Sequence, residues 1–184
     1  MDTLNQITER ILHCDKCELF KTKVNAVPGE GDANSKIIIV GEAPGAEEDA
    51  TGRPFVGRSG MLLRRTLSSL GMNVFITNTI HCRPPQNRKP TSTESETCKP
   101  YLLEQIKIIN PKVIILLGNT ALEAILGITG ITTLRGKIIE RDGIKYIPTF
   151  HPAAVLRDMK RIEEFKQDLE LAKAVCSDLF TTVE

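Results

Sequence analysis

Apolar residues fall along the chain in two alternating patterns, short continuous runs and repeats of three or four positions. The run KIIIV at 36–40 is β-branched and bounded by turn signals, which predicts a buried strand. The stretches at 74–78 and 112–117 predict two more strands, the latter set off by Pro111. Positions 137–140 and 144–147 flank Asp142-Gly143 and predict two short strands around a tight turn, with the second running on to Thr149-Phe150. Helical spacing appears near 4–13, where Leu4, Ile7, Ile11 and Leu12 share one side. Ser59 is expected to cap a helix that carries Leu62, Leu63, Leu67 and Leu70 and closes at Gly71. Thr93-x-x-Glu96 reads as a capping box for a helix to about Ile109. A short helix is expected at 121–126 and a charged amphipathic one at 160–180.

Repeated strand–helix alternation predicts an α/β fold: a three-layer α/β/α sandwich around a central, mainly parallel four-stranded sheet. The chain of 184 residues, 1–184, is enough for a single domain with one core. Such sheets bind ligands outside the carboxyl ends of their strands. Gly41-Glu42, Asn78, Gly118-Asn119 and His151 are all expected at those ends.

Composition narrows the class. Hydrophobic content of 41% and charged content of 26% are ordinary for a globular protein. No apolar run reaches the length of a membrane span and no targeting segment is visible, so the expectation is a cytoplasmic protein without membrane contact, which the family resemblance given below makes a prokaryotic intracellular one. A formal net charge of +1 neither announces nor excludes a nucleic-acid partner, since phosphate contacts need only a local basic face.

Four cysteines are split into Cys14-x2-Cys17 and Cys82-x15-Cys98. Thiolates gathered from distant segments suit zinc or an iron–sulfur cluster, both of which favour sulfur ligands. The wide second spacing departs from the two close knuckles of a zinc ribbon and favours iron–sulfur, with zinc as the alternative. Unpartnered buried thiols are the bland reading, and Cys176, inside the last helix, fits it. Disulfides are not expected, because no secretory signal precedes the first pair.

After the first strand comes a long polar loop, GEAPGAEEDATGRPFVGRSG at 41–60. It matches neither a Walker A loop nor GxGxxG, and Glu42, Glu47, Glu48 and Asp49 make it a poor generic phosphate cradle. Together with ITNTIHCRPPQNRKPT, FHPAAVLR and the four cysteines, this loop resembles the family 4, iron–sulfur branch of the uracil-DNA glycosylases. The likeness runs from the first CxxC through Arg157.

The resemblance implies a monofunctional glycosylase that hydrolyses the N-glycosidic bond of uracil in single- or double-stranded DNA after flipping the base, initiating base excision repair. It implies a structural [4Fe-4S] cluster on Cys14, Cys17, Cys82 and Cys98. In the family, the histidine matching His151 donates a hydrogen bond to uracil O2 as the base departs as an anion. Asn78 takes the role of reading the uracil edge, since one amide can donate to O4 and accept from N3–H, a pattern cytosine reverses. Phe55 is implied as the platform under the flipped base. Glu42 matches a family glutamate that either orients water or stabilises positive charge on the sugar. Glu47 is placed near uracil C5, and backbone groups of Gly41 and Ala43 near the base.

The resemblance also implies that Val155, Leu156 and Arg157 belong to the segment that, in the family, approaches DNA and fills the vacated space. Ala154 stands where relatives often carry a larger residue, which leaves the wedge unassigned. Arg83, Arg88, Lys89, Arg135 and Lys137 are candidate phosphate contacts. The partner is uracil-containing DNA, the protein is expected to act as a monomer, and recruitment by a sliding clamp is a partner without a visible tail motif. Two rival readings stay open: a non-catalytic metal-cluster module that binds nucleic acid, and a superfamily glycosylase for another deaminated base.

Overall fold

Three parallel pairings build the centre of the molecule. In the computed structural model, which describes residues 3–181 with side chains through Ser177, β2 (Ile37–Gly41) lies between β3 (Phe75–Asn78) and β4 (Val113–Leu117), and β4 pairs with β6 (Ile144–Thr149). Two antiparallel strands close the edges: β1 (Glu30–Gly31) on β3 and β5 (Ile139–Arg141) on β6. The sheet therefore has six strands in the order β1-β3-β2-β4-β6-β5, against the four expected, and its four central strands are the parallel ones. The extra strand β1 has only two residues, too few to carry an alternation that a sequence could reveal.

Alternate residues of the central strands feed two apolar layers. Ile37, Ile39, Val113, Ile115 and Ile147 face α3 (Arg58–Ser69) and α8 (Ile162–Thr181), packing on Leu63, Leu67, Phe165 and Leu169. Ile38, Val40, Ile114 and Leu116 face α4 (Ser92–Ile109) and α5 (Gly118–Leu126), packing on Leu102, Ile109, Ala121 and Leu122. With both faces covered, the strands become the continuous apolar runs seen in the sequence. Each fully buried Ile or Leu contributes about 1.5–3 kcal/mol of transfer free energy. A third, smaller core joins α1 (Leu4–Leu12) to α4, with Ile7, Ile11, Leu19, Ile80 and Tyr101 at its centre.

Several local expectations shift. Residues 41–60 are not all loop, because α2 (Ala46–Thr51) forms within them. The cap of α3 is Gly57 rather than Ser59, since the Glu48 carboxylate accepts the N–H groups of Val56 and Gly57 (3.1 and 3.0 Å) and orders the turn from outside. The capping box of α4 is Thr91 with Glu94, not Thr93 with Glu96. Both pairs have the right spacing, but only Glu94 also takes Arg88, at 2.7 and 2.9 Å. Beyond β5 and β6 the chain forms α7 (Pro152–Arg157), then a 3-10 turn at Met159–Arg161, before α8 begins. Asp142 and Gly143 both have positive φ (52° and 76°), as a type I′ hairpin turn needs. A further short helix, α6 (Ile131–Leu134), lies between α5 and β5.

The Glu94 carboxyl is held down to about 2, first by the Arg88 guanidinium and then by the Thr91 N–H, against the cost of burial. A depressed carboxyl contributes stability above its unfolded value of 4.5 and loses it as pH falls toward 2. Equilibrium unfolding measured between pH 6 and 2 should therefore weaken over that window, and Glu94→Gln should lower stability at pH 6 while flattening the acid slope (pH range as a rough experimental span).

Candidate functional site

At the carboxyl ends of β2, β3, β4 and β6, the following residues open a cleft of about 630 Å³. That lies within the roughly 300–1,000 Å³ usual for small-ligand sites. The cleft brings together Glu42, Ala43, Phe55, Asn78 and His151, residues spread over more than a hundred positions of sequence.

The inner wall is built on a glycine. A Cβ on Gly41 would lie 2.4 Å from Phe55 Cζ and 2.5 Å from Asn78 Oδ1, so ring and amide meet over its bare Cα. Phe55 itself has φ of 52°, a left-handed conformation uncommon for a bulky residue. Arg64 holds it there: Nε donates to the Phe55 carbonyl (2.9 Å), Nη2 to the Pro54 carbonyl (2.7 Å), and Nη1 to Glu30 (3.1 Å). Gly60 passes so close that a Cβ would stand 2.1 Å from the Phe55 carbonyl carbon. Strain held by several independent contacts marks a position where ring placement is fixed.

Asn78 ends β3 and is 2% exposed, yet its Oδ1 has no hydrogen-bond partner among the described residues. An orphaned buried carbonyl oxygen is costly and is satisfied when a ligand presents a donor. Across the cleft, His151 caps α7 and its ring centroid lies 5.9 Å from that of Phe55. Its Nδ1 accepts the Ala153 N–H (3.1 Å), which leaves Nε2 as the protonated nitrogen of a neutral ring. Burial pushes the His151 pKa down to about 4, and Arg157 adds to this while Glu48 opposes it. The imidazole is thus a neutral donor at physiological pH.

Glu42 follows β2. Its carbonyl accepts from Thr79 Oγ1 (2.7 Å) and its Oε2 from Thr120 Oγ1 (2.5 Å). Thr120 lies outside the sequence expectations; its signal was its place one residue past Gly118-Asn119, at the end of β4. Glu48 lines the cleft, whereas Glu47 sits exposed on α2 outside the lining. Ser59, Arg161 and Pro44 complete the surround.

The DNA-facing candidates divide. Val155 is 0% exposed and packs in the core, which leaves the partly buried Leu156 and the exposed Arg157 as the open residues of their segment. Arg157 and Arg161 both line the cleft, Arg161 lying over the Phe150 ring at 4.7 Å. Most other basic candidates are engaged: Arg83 with Asn87, Arg88 with Glu94, Lys89 with Glu123, Arg135 with Asp168 and Glu164. Lys137 is exposed.

Cys14, Cys17, Cys82 and Cys98 line a second, small apolar cavity, brought together by the segment after α1, the segment after β3 and α4. Burial raises the Cys82 and Cys98 thiols to about 11 and about 12. Among the described residues no three His, Cys, Asp or Glu side chains converge on one metal-ion position. Ala43, from the cleft, packs against this same region. Cys176 is a buried thiol in α8, as expected.

Fold and cleft together define an α/β protein with a cleft at the strand ends. Residues 28–173 match the model of the uracil DNA glycosylase superfamily. A type-4 uracil-DNA glycosylase of Archaeoglobus fulgidus is 43% identical over 188 residues, covering 96% of this chain and 94% of that protein. Type-4 uracil-DNA glycosylases of Pyrobaculum aerophilum and Thermotoga maritima are each 46% identical, over 91% of this chain and 92% of their own lengths. The chain belongs to the uracil DNA glycosylase superfamily.

The His151 geometry has a spectroscopic consequence. Nitrogen chemical shifts of imidazole-labelled protein should report an unprotonated Nδ1 and a protonated Nε2 at pH 7, with the ring titrating near 4 rather than 6.5. A ring that titrates near 6.5 would contradict the buried, neutral donor described above.

Proposed function

We propose that this protein is a monofunctional DNA glycosylase that hydrolyses the N-glycosidic bond of uracil in single- or double-stranded DNA and so initiates base excision repair. The observation that carries the reading is the meeting of the unpartnered Asn78 Oδ1, the Phe55 ring and the neutral His151 donor in one cleft.

Flipped uracil lies on the Phe55 ring with its N3–H donating to Asn78 Oδ1 and its O4 accepting from the Asn78 amide. Cytosine offers an acceptor at N3 and a donor at its exocyclic amine, so it would leave that amide mispaired, a penalty that discriminates strongly. As the glycosidic bond breaks, negative charge gathers on the base and positive charge on the sugar. The His151 Nε2–H faces the former and donates to O2 as a neutral imidazole. Glu42 faces the latter, where a carboxylate orients water and opposes the oxocarbenium charge. Glu48 holds the turn that carries Phe55, and backbone groups of Gly41 and Ala43 border the base. Leu156 and Arg157 meet the distorted strand, with Arg161 beside them at the cleft.

The residues fit a [4Fe-4S] cluster: four thiols from three segments line one apolar cavity. When bound, it supplies four cross-links and no chemistry that hydrolysis requires. Cys14, Cys17, Cys82 and Cys98 would hold it, fixing the segment after β3 against α1 and, through Ala43, the loop that carries Glu42. On this reading residues 1–184 act as a single domain, a cytoplasmic monomer working on DNA.

A labelled oligonucleotide with one uracil, followed by alkali, tests the activity beside thymine and hypoxanthine controls. Alkali-dependent cleavage at uracil alone is expected, with His151→Ala slowing it by about 100-fold or more while DNA binding persists. Cleavage at hypoxanthine instead would assign another deaminated base, and binding without cleavage would assign a non-catalytic module. Cys98→Ala should lose visible cluster absorbance and melt at lower temperature; a colourless variant of full stability would remove the structural role of the cluster.

A further inference from the structure

The arrangement around Glu42 extends beyond the residues that the sequence motifs carry. β2 and β4 are neighbours in the sheet, but the chain leaves them in opposite directions: from β2 it passes to β3 on one side, and from β4 to β5 and then β6 on the other. The crevice between their ends is the topological switch point, the place where such sheets bind ligands. Glu42 stands on the β2 side of this crevice and Thr120, in the first turn of α5, on the β4 side.

One hydrogen bond spans it. Thr120 Oγ1–H donates to Glu42 Oε2, while the Glu42 backbone is held from the β3 side by Thr79 Oγ1 (2.7 Å) and the Ile80 N–H (3.3 Å), both on its carbonyl. The main chain of Glu42 is therefore fixed by one wall and its carboxylate by the other. Among the described residues no protein group donates to Oε1, so the second carboxylate oxygen stays open to the cleft. A glutamate has three side-chain torsions, and without a partner its carboxylate would sample several orientations in a cavity this large.

We propose that Thr120 is a positioning residue for catalysis: its hydroxyl occupies Oε2 and so presents Oε1 of Glu42 to the sugar and the attacking water. The inference rests on the reading of Glu42 as the carboxylate that acts at the sugar. Thr120 does not touch the substrate; it acts through Glu42, by keeping one oxygen in a single place as the transition state forms. A hydroxyl with its single proton suits this task, since it can donate to one oxygen without neutralising the carboxylate as a cation would.

The test is a double-mutant cycle on cluster-loaded protein, read by single-turnover excision and by binding to an uncleavable uracil oligonucleotide. Thr120→Val keeps the shape and removes the donor; it should slow excision roughly 10- to 50-fold, the loss expected for one hydrogen bond to a charged group. Affinity for the oligonucleotide and the melting temperature should stay near wild type, and Thr120→Ser should recover most of the rate. Placed in a Glu42→Ala background, Thr120→Val should cost nothing further, because the carboxylate it orients is gone. Full activity in Glu42→Ala would overturn the reading of Glu42 itself. An inactive Glu42→Ala beside an undiminished Thr120→Val would overturn the positioning role alone. Equal losses from Thr120→Val with and without Glu42 would assign Thr120 a role independent of that carboxylate and likewise overturn the proposal.

Discussion

Everything in the cleft depends on the missing side chain at Gly41. This residue ends the strand at the centre of the parallel sheet, and the space its Cβ would occupy is filled by Phe55 from one direction and Asn78 from the other. A methyl group there would separate the ring from the amide that together form the inner wall. The cost of the arrangement is carried elsewhere: Phe55 adopts a left-handed backbone, and Arg64, Gly60 and the Glu48-bound turn keep it from relaxing. Packing at the strand end and strain in the loop are two sides of one constraint.

The electrostatic arrangement follows a related economy. The cleft holds a neutral imidazole, a neutral amide and two carboxylates, Glu42 bound to Thr120 and Glu48 bound to the Val56–Gly57 turn, while several guanidinium and ammonium groups nearby are committed to acids within the fold. Of the three arginines that line the cleft, Arg88 is paired with Glu94 and Arg161 with Asp158 (3.3 Å), while Arg157 is exposed. Cations spent on internal acids rigidify the loops around the site, as Arg88 does for the start of α4.

How much of this was legible in the chain depended on the range of the forces involved. Strands β2 and β4 were readable because burial on both faces demands unbroken β-branched runs, and Gly41, Asn78 and His151 were readable because they stand where those runs stop. Helix α2 was not, since AEEDAT has no apolar period; its carboxylates are ordered by N–H groups of distant segments, Asp49 by Val24 and Asn25 and Glu48 by Val56 and Gly57. The two overlapping Thr-x-x-Glu pairs before α4 could not be ranked without knowing that Arg88 folds back onto Glu94. The burial of Val155 was hidden for the same reason: in a short helix, which residue faces inward is set by what it packs on. Basic residues were visible as charges, but their partners, often tens of positions away, were not.

The two outer strands bear on the behaviour of the sheet as a surface. β1 contributes two residues, the second being Gly31, which like Gly29 just before the strand has positive φ, and β5 contributes three, with Glu140 and Arg141 exposed. Both run against the direction of the central strands they cover. A strand from another molecule seeking to extend the sheet would meet a ledge too short, too bent or too charged to template a ladder. A parallel sheet of four apolar strands is a hazard whenever its flanks are bare; here the flanks are capped, and the chain guards against fibril-like association with five residues of backbone.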